Sequence, residues 1–109
     1  MAIARYVKGS KELFIVDMTC TEADFAVAEW TGELAFSAVG ETFDADTATW
    51  IPAALVAGAS TSVFSAEAMQ EQDMTLDVGQ WYAYVRLTKA SGDRAEQPVL
   101  KADGYLSIT

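Results

Sequence analysis

The most regular pattern in the chain is an alternation of apolar and polar side chains in its last third, from residue 80 to residue 88. The apolar positions are Trp81, Ala83, Val85 and Leu87, and the polar positions between them are Gln80, Tyr82, Tyr84, Arg86 and Thr88. An alternation with period two is typical of a β-strand that buries one face. The pattern therefore predicts a long strand whose apolar face packs against a second sheet.

Shorter segments of the same kind predict further strands, at residues 3–7, 12–20, 33–39, 49–51, 61–65 and 104–109. Residues 21–28 are predicted to form a loop or a single helical turn, and residues 66–72 a surface helical turn. Pro52 lacks an amide hydrogen, so the strand that precedes it is predicted to lie at a sheet edge or to end there. Turns at intervals of about eight to twelve residues, without sustained helical periodicity, predict an all-β sandwich of about seven strands.

The length of 109 residues is that of a single domain. We expect an N-terminal arm or short first strand at residues 1–10, followed by the sandwich domain at residues 11–109. The N-terminus lacks the apolar stretch of a signal peptide, and no apolar run approaches the ~20 residues that cross a bilayer. The sequence therefore predicts a soluble protein made in the cytoplasm.

The side chains that most enzymes use are scarce. The chain has no histidine and a single cysteine, Cys20, so the commonest general base, the commonest zinc ligand and any intrachain disulfide are missing. Paired carboxylates such as Asp44 and Asp46 are the remaining catalytic option, but they lie in a segment predicted to be a solvated turn. We therefore expect a protein that is not an enzyme and has no catalytic, cofactor or metal site.

One loop keeps metal binding open as an alternative. Glu41, Asp44 and Asp46 offer three carboxylates within six residues, and hard cations such as Ca²⁺ prefer oxygen ligands. The loop lacks the Asp-x-Asp-x-Asp-Gly spacing of a calcium loop. A solvated acidic turn is therefore the favoured interpretation.

The formal net charge is -9, and the charges are unevenly distributed along the chain. No Lys or Arg occurs between Lys11 and Arg86, so the basic residues lie toward the two ends. Because the first and last strands of a sandwich often lie near each other, we expect a basic edge on an acidic body. Nucleic acid is a poor partner for such a body, since phosphate binding requires clustered Lys and Arg. The alternative is that the carboxylates only maintain solubility.

Strand parity places Tyr82 and Tyr84 on the outward face of the long strand. Paired outward tyrosines favour a protein interface over a glycan site, while a sugar-stacking platform of tryptophans and tyrosines is the alternative. Adding the basic residues of the same strand and of the N-terminus gives a candidate partner interface, which consists of Arg5, Lys8, Tyr82, Tyr84 and Arg86.

A family resemblance rests on the last third of the chain. Residues 76–88, Leu-Asp-Val-Gly-Gln-Trp-Tyr-Ala-Tyr-Val-Arg-Leu-Thr, lead through a Ser-Gly turn to Gly104-Tyr105-Leu106-Ser107-Ile108. This arrangement resembles the closing half of small immunoglobulin-like proteins of tailed bacteriophages, with a Leu-x-x-Gly-x-Tyr corner and a return strand closing in Gly-x-Leu-x-Ile. Residues 50–53, Trp-Ile-Pro-Ala, are similar to a Trp-containing segment of such proteins from phages of actinobacteria. The likeness covers about half of the chain.

The resemblance implies an immunoglobulin-like antiparallel β-sandwich that serves as a non-enzymatic structural protein of the virion, after synthesis in the host cytoplasm. It implies a capsid decoration or minor head protein that binds other virion proteins in many symmetric copies, with a tail or baseplate component as the alternative. The chain departs from the family pattern at two positions. Trp81 stands where the corner tyrosine is expected, and Cys20 has no partner for an inter-sheet disulfide.

Overall fold

The computed structural model describes residues 2–11, 13–19, 30–57, 63–69, 76–89, 99–102 and 104–109. The strands are β1 (Ala2–Tyr6), β2 (Leu13–Thr19), β3 (Trp30–Ala38), β4 (Ile51–Ala57), β5 (Val63–Met69), β6 (Gly79–Lys89), β7 (Val99–Lys101) and β8 (Tyr105–Ile108). None of the described residues belongs to a helix that could span a membrane.

The strands pair in the order β1-β8-β6-β3-β4-β5-β2, and β7 pairs with β6 on the same side as β8. The first part of β4 pairs with β3 and its second part with β5, so β4 joins a first layer (β1, β8, β7, β6, β3) to a second layer (β5, β2). Strands β2, β5 and β4 are neighbours in the same order as strands B, E and D of an immunoglobulin-type sandwich. Strands β3, β6 and β8 are neighbours in the same order as its strands C, F and G. The predicted all-β sandwich is confirmed. One pair differs from the antiparallel expectation, because β1 runs parallel to β8.

Alternate residues of both layers meet in a single core. The largest fully buried side chains are Val16, Leu34, Phe64, Val85, Leu87, Leu106 and Ile108. The predicted apolar face of β6 is confirmed, because Ala83, Val85 and Leu87 are buried and Trp81 packs against the core with partial exposure. Burial of one aliphatic side chain contributes about 1.5–3 kcal/mol. The inward row of β6 is therefore a major contribution to the two-layer packing.

The sequence-based expectation of a helical turn at residues 66–72 is wrong for the residues that the structure describes. β5 continues to Met69, and its Ala66 and Ala68 are buried opposite residues of β2. Alanine and glutamate have a high intrinsic propensity for the α-helix. Here the seven-residue ladder with β2 and the burial of one alanine row override that preference.

The third strand starts earlier than its pattern predicts. Residues 30–32 interrupt the alternation of the sequence, yet β3 begins at Trp30, whose side chain is buried. Gly32 has a packing reason to lie inside the strand: a Cβ atom there would lie 2.5 Å from Cδ2 of Leu55. The glycine thus lets the Leu55 side chain of β4 approach the β3 backbone.

β4 continues through Pro52 instead of ending there. Pro52 lies opposite Glu33 of β3, and at this point β4 has a neighbour on one side only. A proline is tolerated in such a position because the missing amide hydrogen is not required by a second strand. The edge prediction therefore holds locally, and the alternative of a strand that stops at Pro52 is wrong.

The two ends of the chain are joined by main-chain hydrogen bonds. Beyond the β1-β8 ladder, the amide of Lys8 donates to the carbonyl of Thr109 at 2.8 Å, and the amide of Thr109 donates to the carbonyl of Tyr6 at 2.8 Å. The N-terminal residues Ala2–Tyr6 therefore form a strand of the sheet, with Arg5 exposed on it.

Cys20, the loop or helical turn predicted at residues 21–28 and the Ser-Gly turn of the hairpin after residue 88 lie outside the described residues. The strands that flank this hairpin, β6 and β7, are antiparallel neighbours.

Candidate protein-binding face

The side of the first layer that points away from the core carries the candidate site. Residues between the buried positions of β3, β6 and β8 point outward, and the register places Glu33 opposite Arg86. Phe43 and Trp50 reach the same side from the connection between β3 and β4. We call this surface the aromatic-basic face, and its residues are Arg5, Glu33, Phe43, Trp50, Tyr82, Tyr84, Arg86, Lys101 and Tyr105.

Arg86 is held on this face by two partners. Its Nε and Nη2 donate to Oε1 of Glu33 at 3.0 and 2.8 Å, and its guanidinium carbon lies 4.5 Å from the centre of the Trp50 ring. The Arg86 side chain is 24% exposed and that of Glu33 is 32% exposed. Because both groups are partly shielded from water, the ion pair and the cation–π contact fix the guanidinium orientation while leaving part of it accessible.

Phe43 covers part of the outer face. Its ring stacks on Tyr84 with the centroids 3.7 Å apart and the planes 7° apart, and the Trp50 ring meets it edge-on at 5.8 Å and 88°. Ala35, the cross-strand neighbour of Tyr84, is buried although it lies on the outward side of β3. The connection between β3 and β4 thus folds back onto the sheet and positions two aromatic rings there.

Local hydrogen bonds shape this connection. Gly40 has a φ of 97°, a left-handed conformation that favours glycine. Oδ1 of Asp44 accepts from the amide of Asp46 at 2.9 Å, and Nε1 of Trp50 donates to the carbonyl of Ala45 at 3.0 Å. One carboxylate oxygen of the acidic loop is therefore used to form a turn. Within the described part of the chain, no three acidic, histidine or cysteine side chains converge to hold a metal ion.

Tyr82 and Lys101 form a second contact on the face. Nζ of Lys101 lies 3.8 Å from the centre of the Tyr82 ring, and Lys101 is the register partner of Tyr84. Tyr105 points outward from β8, because Leu106 and Ile108 on either side of Ser107 are buried. The face therefore combines three tyrosines with three basic side chains.

The structure brings four of the five residues of the sequence-predicted interface onto one face. Tyr82, Tyr84 and Arg86 share the outward side of β6, and Arg5 shares it through its pairing with Ser107 of β8.

Lys8 lies elsewhere, at the corner that precedes β6. Its Nζ donates to the carbonyl of Leu76 at 2.9 Å and to Oδ1 of Asp77 at 3.3 Å. The N-terminal segment and this corner are thereby linked, and Lys8 does not belong to the aromatic-basic face.

Sequence reasoning did not assign Glu33, Phe43, Trp50, Lys101 and Tyr105 to the interface. The alternation of residues 33–39 is a signal that would have placed Glu33 on the outward side of β3. The position of Phe43 follows from the fold of a loop, for which the sequence contains no periodic signal.

The arrangement is suited to binding another protein. Tyr, Trp and Arg are the residue types enriched at protein interfaces, and rings with restricted rotation lose little conformational entropy on binding. No protein-family model matches the chain, and no curated protein or solved structure is found to be similar to it.

Proposed function

We propose that the chain is a non-enzymatic structural protein of a phage virion that binds other virion proteins through its aromatic-basic face. The observation that carries the proposal is the collection of Arg5, Arg86 and Lys101 with the tyrosines of β6 and β8 on one sheet face. In a chain with a net charge of -9, this surface offers a local region to which an acidic partner can be steered.

The phage assignment rests on the sequence resemblance of residues 76–88 and 104–108, and the order of the strands agrees with the fold that the resemblance implies. A capsid decoration or minor head protein is the favoured role. A small acidic domain with one basic face can dock in many copies with the same orientation on a symmetric shell. A tail or baseplate component is the alternative.

The glycan-binding alternative is less well supported by the ring geometry. A sugar needs an open ring face for stacking, but Phe43 and Tyr84 cover one face of each other, Arg86 lies over Trp50, and Lys101 lies over Tyr82. The exposed surface that remains is more polar than an open aromatic platform. We expect no binding on a glycan array, and saturable binding there would favour this alternative.

The test is the composition of virions produced by the genome that encodes this chain. We expect quantitative mass spectrometry of purified particles to find the protein in many copies, and immunogold labelling to place it on the head. Absence from the particles would contradict the proposed function. Gold confined to the tail would support the tail alternative.

A variant pair connects this location to the aromatic-basic face. Arg5→Glu reverses a charge on the face, and Lys11→Glu makes the same change at an exposed residue in the connection between β1 and β2. We expect the first variant to lower particle occupancy roughly tenfold, as for the loss of an interface contact of about 1.4 kcal/mol. The second should load normally. Equal occupancy of both variants would show that another surface binds the particle.

A further inference from the structure

The basic side chains of the aromatic-basic face are poorly supplied with acidic partners. The chain has 16 acidic and 7 basic residues, so carboxylates are present in excess. Neither Arg5 nor Lys101, both exposed, forms an ion pair with a described carboxylate, and Glu33 contacts Arg86 through one oxygen only. Cations left unpaired on one face of a strongly acidic chain complement carboxylates that a partner supplies.

The tyrosine hydroxyls of the face add hydrogen-bond donors to these cations. The hydroxyls of Tyr82, Tyr84 and Tyr105 form no hydrogen bond with another described residue. Arg86 uses its Nε and Nη2 for the carboxylate of Glu33, and its Nη1 has no hydrogen-bond partner among the described residues. Lysine and arginine side chains have no acceptor, and a phenol hydroxyl can donate. A partner that complements this face therefore supplies acceptors, which in a protein are carboxylates and main-chain carbonyl groups.

The three cations follow a diagonal across the first layer, which we call the cation row. Lys101 of β7 lies one strand from β6, two residues from the level of Arg86. Arg5 of β1 lies two strands from β6, at the level of Gln80. With strands about 4.8 Å apart and a rise of about 3.4 Å per residue, the backbone of Lys101 is roughly 8 Å from that of Arg86 and roughly 14 Å from that of Arg5. The cation row is therefore roughly 22 Å long.

The β3 side of the cation row is already covered. Ala35 and Ser37 lie on the outward side of β3, yet they are only 1% and 7% exposed, and Phe43 stands above the sheet on the ring of Tyr84. The connection between β3 and β4 also carries three exposed acidic residues, Glu41, Asp44 and Asp46. A flat globular partner would meet this raised acidic connection, whereas a single extended chain fits beside it along the open side of the cation row.

We propose that the aromatic-basic face holds an extended acidic segment of a partner protein, laid along the cation row. The segment belongs to a virion protein if the proposed function holds, on which this assignment of the partner rests. In an extended chain, alternate side chains point to the same side and repeat every 6.8 Å or so, about twice the rise per residue. Carboxylates at positions i, i+2 and i+6 of the segment therefore match the spacings from Arg86 to Lys101 and on to Arg5. The tyrosine hydroxyls can donate to the main-chain carbonyls between them.

A single strand of nucleic acid is the competing occupant, because it combines anionic groups with bases that stack on aromatic rings. The rings of the face are poorly available for stacking, since Phe43 covers one face of Tyr84 and Lys101 lies over Tyr82. Repulsion from a net charge of -9 is also stronger for a strand charged at every nucleotide than for a peptide with three carboxylates. An acidic peptide is therefore favoured.

The experiment is an NMR titration of the purified chain with end-blocked peptides of about seven residues, a length that spans the cation row. The test peptide has glutamate at its first, third and seventh positions and serine elsewhere. The control peptide has the same composition with glutamate at its first, fourth and sixth positions, which do not share one side. We expect saturable shifts of amides in β1, β6 and β7, weakened by added salt, and binding of the control peptide to be weaker by roughly threefold or more.

Three results of this titration would overturn the proposal. The first is a lack of saturable shifts in these strands, and the second is equal binding of the two peptides. The third is tighter binding of a single-stranded DNA of about seven nucleotides at the same salt concentration, which would assign the face to nucleic acid.

A matched pair of variants locates the contact. Lys101→Gln and Lys11→Gln remove one positive charge each from exposed side chains, so they change the net charge equally, but only Lys101 belongs to the cation row. We expect Lys101→Gln to weaken binding of the test peptide by roughly fivefold and Lys11→Gln by less than roughly twofold. Equal weakening would show that total charge determines binding and would overturn the proposal. The amide spectra of both variants verify that they are folded.

The titration uses the isolated chain, so its result is independent of where the protein is located. A chain that is abundant in particles but binds no acidic peptide would overturn the extended acidic segment and leave the proposed function intact. A chain that binds the test peptide as expected but is absent from particles would support the acidic segment and contradict the proposed function.

Discussion

Nε1 of Trp81 donates a hydrogen bond of 2.9 Å to the carbonyl oxygen of Asp77, four residues upstream. In immunoglobulin-type domains a tyrosine hydroxyl at this corner bonds to the backbone a few residues before it. Because the acceptor is a backbone carbonyl, the side chain at position 81 needs only to donate a hydrogen bond. The indole N–H of Trp81 supplies this donor. Gly79, with a φ of 148°, lies between the two residues and allows the turn into β6. Trp81 thus makes a corner hydrogen bond with its indole where an immunoglobulin-type corner uses a tyrosine.

Replacement of Trp81 tests this corner. Trp81→Phe keeps an aromatic ring against the core but removes the donor, and Trp81→Tyr restores a hydroxyl donor. We expect Trp81→Phe to lower the free energy of unfolding by about 1–2 kcal/mol, from the lost hydrogen bond and the smaller ring. Trp81→Tyr should lose less. Urea denaturation measures both values, and equal losses would show that ring volume alone matters at this position.

Lys8 donates to two acceptors, and a pair of variants tests which of the two contacts stabilises the fold. The Leu76 carbonyl is part of a partly buried hydrogen bond, whereas the Asp77 side chain is 92% exposed. An exposed ion pair contributes little in water. We therefore expect Asp77→Asn to leave the stability nearly unchanged and Lys8→Met to lower the melting temperature measurably. The opposite ranking in differential scanning calorimetry would assign the stabilisation to the ion pair instead of the carbonyl contact.

Gly32 provides a test of packing between β3 and β4. A Cβ atom at this position would lie 2.5 Å from Cδ2 and 2.9 Å from Cγ of Leu55. Gly32→Ala should therefore destabilise the fold by about 1–3 kcal/mol, as is typical of overpacking.

The double variant with Leu55→Ala is the control for this interpretation. Removal of the Leu55 methyl groups leaves space for the new Cβ, so Gly32→Ala should cost much less in that background. Chemical denaturation of the four proteins gives the coupling free energy. A cost that is the same in both backgrounds would attribute the effect to the backbone rather than to the Leu55 contact.

The parts of the fold that sequence reasoning identified are those with strong alternation. β6 shows this most clearly, because between residues 80 and 88 its inward residues are apolar and its outward residues are polar or aromatic. Outward placement of Tyr82, Tyr84 and Arg86 follows from the same parity. A strand with one buried face therefore contains enough information to assign its outward side as well.

The parts that sequence reasoning missed depend on contacts between distant segments. The inward row of β5 includes Ala66 and Ala68, whose small side chains give a weak hydrophobic signal and a helical preference. The beginning of β3 was obscured by Gly32, which is explained only by Leu55 of β4. Likewise, the stacking of Phe43 on Tyr84 joins a loop to a strand about forty residues away. Local patterns do not encode such pairings.

The ion pair between Glu33 and Arg86 on the aromatic-basic face leads to the last prediction. A double-mutant cycle with Glu33→Gln and Arg86→Met should give a coupling free energy of about 0.5–1 kcal/mol, since the two side chains are cross-strand neighbours and partly shielded. Salt at about 1 M should reduce this coupling, because the Debye length falls to about 3 Å. Arg86→Lys should be intermediate in stability, as it keeps the charge but loses the planar contact with Trp50.

The control cycle combines Arg86→Met with Glu67→Gln, because Glu67 lies on β5 in the second layer and is not a neighbour of Arg86. Its coupling should be close to zero, as for distant sites in general. If both cycles give the same coupling, the effect reflects the overall charge of an acidic chain. A coupling confined to Glu33 and insensitive to salt would instead indicate that hydrogen bonding and ring packing, rather than charge, hold Arg86 in place.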